Sequence, residues 1–116
     1  MVDVPEEGWV VAYSDLEGWF EETLPQLGLN EKEAAQFIEY WMEELPEVPY
    51  YEMRLLTDEY LAQNMQLHVV PEPDTVIRLM VHFTPTNQKT NLIEPKITTP
   101  VREGFVVSEW GGILDK

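Results

Sequence analysis

Few side chains in this sequence can do chemistry, and two of them are histidines, His68 and His82. Both fall in stretches of strand-like composition, and a histidine pair joined by a carboxylate can hold zinc. No third donor stands at a recognisable spacing, and no Asp-x-Asp-x-Asp-Gly loop offers a calcium cage. The chain has no cysteine, which excludes thiolate metal sites, disulfides and a thiol nucleophile together. Its two serines, Ser14 and Ser108, lie outside any Gly-x-Ser-x-Gly elbow. Among 22 Asp and Glu residues nothing in the spacing selects a pair for acid–base work. Gly-rich phosphate loops are missing too, and Gly111-Gly112 is followed by no helix that would receive a phosphate. No cofactor is expected, and an enzyme of unrecognised type is the least supported reading.

Arginine is the more informative residue type. Arg54 and Arg78 lie in predicted strands and Arg102 leads into another, so the three could form a row that clamps carboxylates or other anions. The competing account is cross-strand pairing, for example Arg78 with Glu52 or Glu109. Trp19 and Trp41 fall on apolar helical stripes and belong to the core, whereas Trp9 and Trp110 are candidates for exposure. In the strand predicted over Thr75–Thr84, Ile77, Leu79, Val81 and Phe83 share one face. Val76, Arg78, Met80 and His82 share the other, which is too apolar to be indifferent to water and too polar to be plain core. Arg78 and His82 are therefore the candidate binding residues, with Trp110 at the edge of their surface.

The elements that would carry these residues follow from periodicity. Trp9–Tyr13 reads as a first strand. Ser14 and Glu17 fit a capping box for a helix whose stripe is Leu16, Trp19, Phe20, Leu24 and Leu27, weakened by Gly18 and Pro25 and stopped at Gly28. Asn30 with Glu33 opens a second helix with Ala34, Phe37, Ile38, Trp41, Met42 and Leu45 in register, ended by Pro46 and Pro49. Tyr50–Leu56 alternates as a half-buried strand, and Thr57 caps a short helical turn. Gln66–Val70 and Thr75–Thr84 read as a hairpin turned at Pro71–Asp74. Pro85–Pro100 reads as a long loop with one edge strand near Leu92–Ile97. Gly104–Trp110 is the last strand, closed by Gly111-Gly112.

At 116 residues and 44% hydrophobic content the chain fits one domain, 1–116, with an ordered core of about 8–113. Its charge is lopsided. Residues 1–59 hold sixteen acids against Lys32 and Arg54, a net of -14, and the remainder holds six acids against five bases, giving the total of -15. That balance argues against phosphate-mediated binding of nucleic acid and against docking on anionic lipid. No stretch approaches the roughly 20 apolar residues needed to insert in a membrane. The first residues carry neither the basic region nor the apolar stretch of a signal peptide. A soluble chain is expected, cytoplasmic as it stands and extracytoplasmic if excised from a larger exported protein.

Several segments taken in order carry a resemblance: Gly8-Trp-Val-Val, Leu27-Gly-Leu-Asn-Glu-Lys-Glu, Phe37-Ile-Glu-Tyr-Trp41, Pro49-Tyr-Tyr51, Pro73-Asp-Thr-Val-Ile-Arg78 and Arg102-Glu-Gly-Phe-Val-Val-Ser-Glu-Trp-Gly-Gly112. Over residues 8–113 the chain resembles an uncharacterised prokaryotic domain of unknown function. That domain recurs near the C-terminus of bacterial and archaeal proteins, often exported ones. The resemblance implies a module, envelope-associated, with no catalytic residues to carry over.

From the residues themselves the expected fold is α+β, with an N-terminal helical hairpin packed on a mostly antiparallel β-sheet of four to six strands. The expected function is a non-catalytic binding or interaction module, accessory to a cell-envelope protein. Its partner would be a protein or a small ligand, and the chain itself a monomer or weak homo-oligomer. An acidic decoy or regulator that binds a basic protein surface is the alternative.

Overall fold

The computed structural model describes residues 5–115. Its elements run in the order β1 (Trp9–Ala12), α1 (Tyr13–Thr23), α2 (Glu31–Glu44), β2 (Tyr50–Leu55), α3 (Asp58–Asn64), β3 (Thr75–Thr86) and β4 (Val106–Leu114). The fold is α+β and the sheet is mostly antiparallel: the strand order is β1-β2-β3-β4, antiparallel up to β3 and parallel between β3 and β4. The described structure opens on a strand, so α1 and α2 lie between β1 and β2 rather than at the N-terminus.

Register divides the sheet into two faces. Trp9 opposes Met53, Met53 opposes Phe83 and Phe83 opposes Leu114, so these side chains share the face that α1 and α2 cover. Phe20 of α1 meets Phe37 of α2 at 5.4 Å between ring centroids, and the Trp41 ring lies 4.8 Å from that of Phe83. Trp41 and Leu79 are only 8% and 5% exposed, which places the core between the helices and the β3 face that the alternation marked. The opposite face carries Glu52, Arg54, Arg78 and His82, and α3 packs on part of it, with Leu61 buried.

Several local expectations change. α1 begins at Tyr13 with Ala12 in the capping position and no side-chain cap, so Ser14 and Glu17 form no capping box. The chain runs straight from β1 into the helix, and the Tyr13 amide finds its partner in the Pro49 carbonyl, 3.1 Å away. The box at α2 does form: Asn30 accepts from the Glu33 amide and Glu33 from the Asn30 amide. Thr57 likewise caps α3 through the Tyr60 amide.

Gln66–Val70 is no strand. β3 already has β2 on one side and β4 on the other, so a hairpin partner has no edge left to join. Leu92–Ile97 is irregular as well, apart from one bond from the Gly8 amide to the Ile93 carbonyl. It belongs to the long crossover that any parallel β3–β4 pair requires. That crossover passes α1, where Ile97 packs on the core, and reaches the turn between the helices at Pro100, against Gly28.

Gly28 has φ +111°, the left-handed turn that ends the α1 region. β4 does not stop at Gly111-Gly112 but runs through both. A Cβ on Gly112 would lie 2.7 Å from ring carbons of both Phe83 and Trp41. The glycine is where the helix layer presses on the sheet.

Candidate functional site

Arg78 stands on the face opposite the helices, beside Glu109 of β4 in the parallel register. Its Nε and Nη2 donate to Glu109 Oε1 at 3.1 and 3.0 Å. Nη1 reaches the Leu61 carbonyl at 3.4 Å and Nη2 the Met65 carbonyl. Both carbonyls lie in the last turn of α3 and its cap, where a helix favours a cation, although the Leu61 carbonyl also accepts from the Met65 amide. Arg78 thus fastens α3 to the sheet while Glu109 balances its charge. The cross-strand pairing with Glu109 is realised, and Glu52 pairs instead with Arg54 on its own strand at 3.0 Å.

His82 lies on the same face of β3 but is 5% exposed. Its Nδ1 is 3.4 Å from the Thr84 hydroxyl and its Nε2 is 3.7 Å from Asp115 Oδ2. Burial lowers its pKa below the usual histidine value; the Arg54 charge across the strand pair acts in the same direction and Asp115 against it. At neutral pH the ring is an uncharged, largely enclosed group. Trp110 sits in register with Leu79, on the helix-covered face, and packs partly buried against the core. The structure therefore brings Arg78 and His82 to one face and puts Trp110 on the other. Trp9 is buried, and its ring meets that of Trp19 at 5.2 Å.

Beside Arg78 opens a cleft of about 700 Å³ between the 66–73 segment and β3. Its wall includes Leu67, His68, Val70, Pro73, Val76 and Arg78. Leu67, Val70 and Val76 are large apolar side chains left exposed, Val76 by 48%. The volume lies within the range of small-molecule sites, roughly 300–1,000 Å³. The strand-like composition of 66–70 hid this cleft from sequence reading. Its one local signal is the pair Pro71 and Pro73, which flank a stretch unable to continue a ladder.

A second feature is only partly legible in the sequence. The Glu33 carboxylate receives Arg102 Nη1 and Nη2 at 2.8 and 3.1 Å, the Ser108 hydroxyl and the Asn30 amide. Arg102 also donates to the Gly28 carbonyl at 2.9 Å. Burial would raise the Glu33 pKa, but the hydrogen bonds from Arg102, Ser108 and Asn30, with the Arg102 charge, outweigh it and hold the carboxyl at about 2. Asn30 stands at capping-box spacing, but the Arg102 and Ser108 partners of Glu33 lie 69 and 75 positions away along the chain, so no spacing rule could announce them. Such a saturated carboxylate is a clasp between α2, the crossover and β4. Among the described residues no three His, Asp or Glu side chains gather as a metal ion would require.

No protein-family model, curated protein or solved structure matches the chain.

Proposed function

We propose that the chain is a non-catalytic binding module whose ligand surface is the cleft between residues 66–73 and β3. The observation that carries this reading is the group of exposed apolar side chains, Leu67, Val70 and Val76, around a cleft of ligand size. Apolar surface left in water at a concave site is where a ligand recovers free energy, about 25 cal/mol per Å² buried. The ligand is apolar and uncharged or cationic. Arg78 already makes four hydrogen bonds and is neutralised by Glu109, so it has little left for an anion. A chain of net charge -15 repels anions at longer range. The resemblance to a domain of exported prokaryotic proteins supports an accessory role at the cell envelope.

The test is titration with Nile red, an uncharged apolar dye. Fluorescence should rise on binding to the wild-type chain and stay low with Val76→Asp, whose exposed position leaves the thermal midpoint within a few degrees. Equal enhancement by both chains would remove the cleft from consideration.

A further inference from the structure

β4 is an edge strand, and among the described residues it pairs only with β3. The Asp115 amide donates to the Phe83 carbonyl, so by the period of two the odd-numbered residues of β4 point their peptide groups at β3. Val106, Ser108, Trp110, Gly112 and Leu114 point theirs outward. Natural edges are blunted by lysine, proline, bulges or brevity. β4 is nine residues long, contains no proline or lysine, and offers one charge, Glu109.

A ledge overhangs this edge. Glu33 of α2 bonds Ser108 and Trp41 lies over Gly112, so α2 runs alongside β4 in the same direction. Gln36, Tyr40 and Glu44 follow Glu33 at three, seven and eleven positions and so share its flank, the one turned toward β4. Tyr40 is 57% exposed there. Glu109 lies on the opposite face of the edge, and Asp115 at its end.

We propose that the β4 edge, roofed by the α2 flank, docks an extended segment of a partner protein bearing lysine or arginine, which joins the sheet as a fifth strand. Unpaired peptide groups call for a strand, since backbone pairing is what an open edge can satisfy. Glu44 and Asp115 select a basic one, since Glu109 is already balanced by Arg78, and the exposed Tyr40 ring offers its face to a cation. A second copy of this chain fits poorly, because pairing two β4 edges sets these acids, and two net charges of -15, against each other. This surface is separate from the cleft and stands without it.

Three peptides test the proposal: one of alternating lysine and valine, its glutamate counterpart, and the lysine peptide N-methylated at alternate residues. The lysine peptide should bind and slow hydrogen exchange at the Ser108, Trp110 and Gly112 amides, while the glutamate peptide should not bind. N-methylation removes strand donors and keeps the charge, so affinity should fall at least tenfold. Equal binding of the methylated peptide would reduce the effect to bulk attraction and overturn the proposal. Glu44→Lys should weaken the lysine peptide roughly fivefold, as a reversed rim charge does. Protection of those three amides in the chain alone, growing with its concentration, would make the occupant a second copy and overturn the proposal as well.

Discussion

Glu33 shows how one residue ties distant parts of the chain together, and acid measures the strength of that tie. In the folded chain its carboxyl titrates near 2, against 4.5 for an unperturbed group. As pH falls from 4.5 toward 2 the unfolded chain takes up a proton that the folded chain refuses, so the folded state loses stability across that window. The loss is on the order of 2–3 kcal/mol. Urea midpoints of the wild-type chain should therefore exceed those of Glu33→Gln at pH 7, and that gap should close between pH 5 and 2, a difference from which relief of repulsion among the other acids cancels. His82 acts on a higher window with the same sign. Its pKa is depressed by burial, so the unfolded chain binds the proton first and stability declines as pH drops below about 6.5. Replacement by Gln should remove that part of the pH dependence; an unchanged profile would show that the ring reaches water. Gly112 is constrained by shape alone. Alanine there sets a methyl 2.7 Å from the Phe83 and Trp41 rings, and denaturation should show a loss of about 1–3 kcal/mol.

At the scale of elements, what was legible was periodic and what was not was assigned by competition for partners. The stripes through Phe20 and Trp41, and the alternation of Ile77, Leu79, Val81 and Phe83, named the layers that meet, because burial acts on every third or every second residue. Asn30 and Glu33 announced α2, because a cap is made by neighbours. Gln66–Val70 has the composition of a strand yet forms none, since strand formation depends on a free edge and β4 had filled it. The candidate site divided the same way. Arg78 and His82 were placed together by the period of two, while the cleft depended on a segment whose path is not periodic. Arg78 also belongs to this scale, because it holds an element in place. Arg78→Met strips the carbonyls of Leu61 in α3 and of Met65 at its cap of a donor and leaves Glu109 unpaired, so α3 should be released first. Amide hydrogen exchange should accelerate in residues 58–65 ahead of β3, with a stability loss of about 1–3 kcal/mol. Uniform acceleration through the whole sheet would show instead that α3 and the sheet open as one unit.

Over the whole molecule, charge works against compactness. The exposed faces of α1 and α2 hold Asp15, Glu17, Glu21, Glu22, Glu31, Glu39, Glu43 and Glu44, which puts much of the -14 of the first 59 residues on one layer. None of the three helices has a basic residue in its last turn, and α2 ends on Glu43 and Glu44, where its dipole favours cations. Salt bridges act the other way, but in each described one that joins separate elements, Glu33–Arg102 and Arg78–Glu109, one partner is shielded, Glu33 at 11% and Arg78 at 13% exposed, which blunts the response to ions. Screening should therefore relieve more repulsion than it removes attraction. Raising sodium chloride from about 10 mM, where charges act over roughly 30 Å, to 1 M, where they act over about 3 Å, should raise the urea midpoint. Glu43→Lys should raise the midpoint at low salt by about 0.5–1 kcal/mol in stability and shrink the gain from salt. Glu44→Lys should do the same, so any affinity that variant loses for a basic strand cannot be assigned to unfolding. A midpoint that falls with salt would mean that the ion pairs outweigh the acidic layer, and that the layer's charge is dispersed enough to leave the fold unstrained.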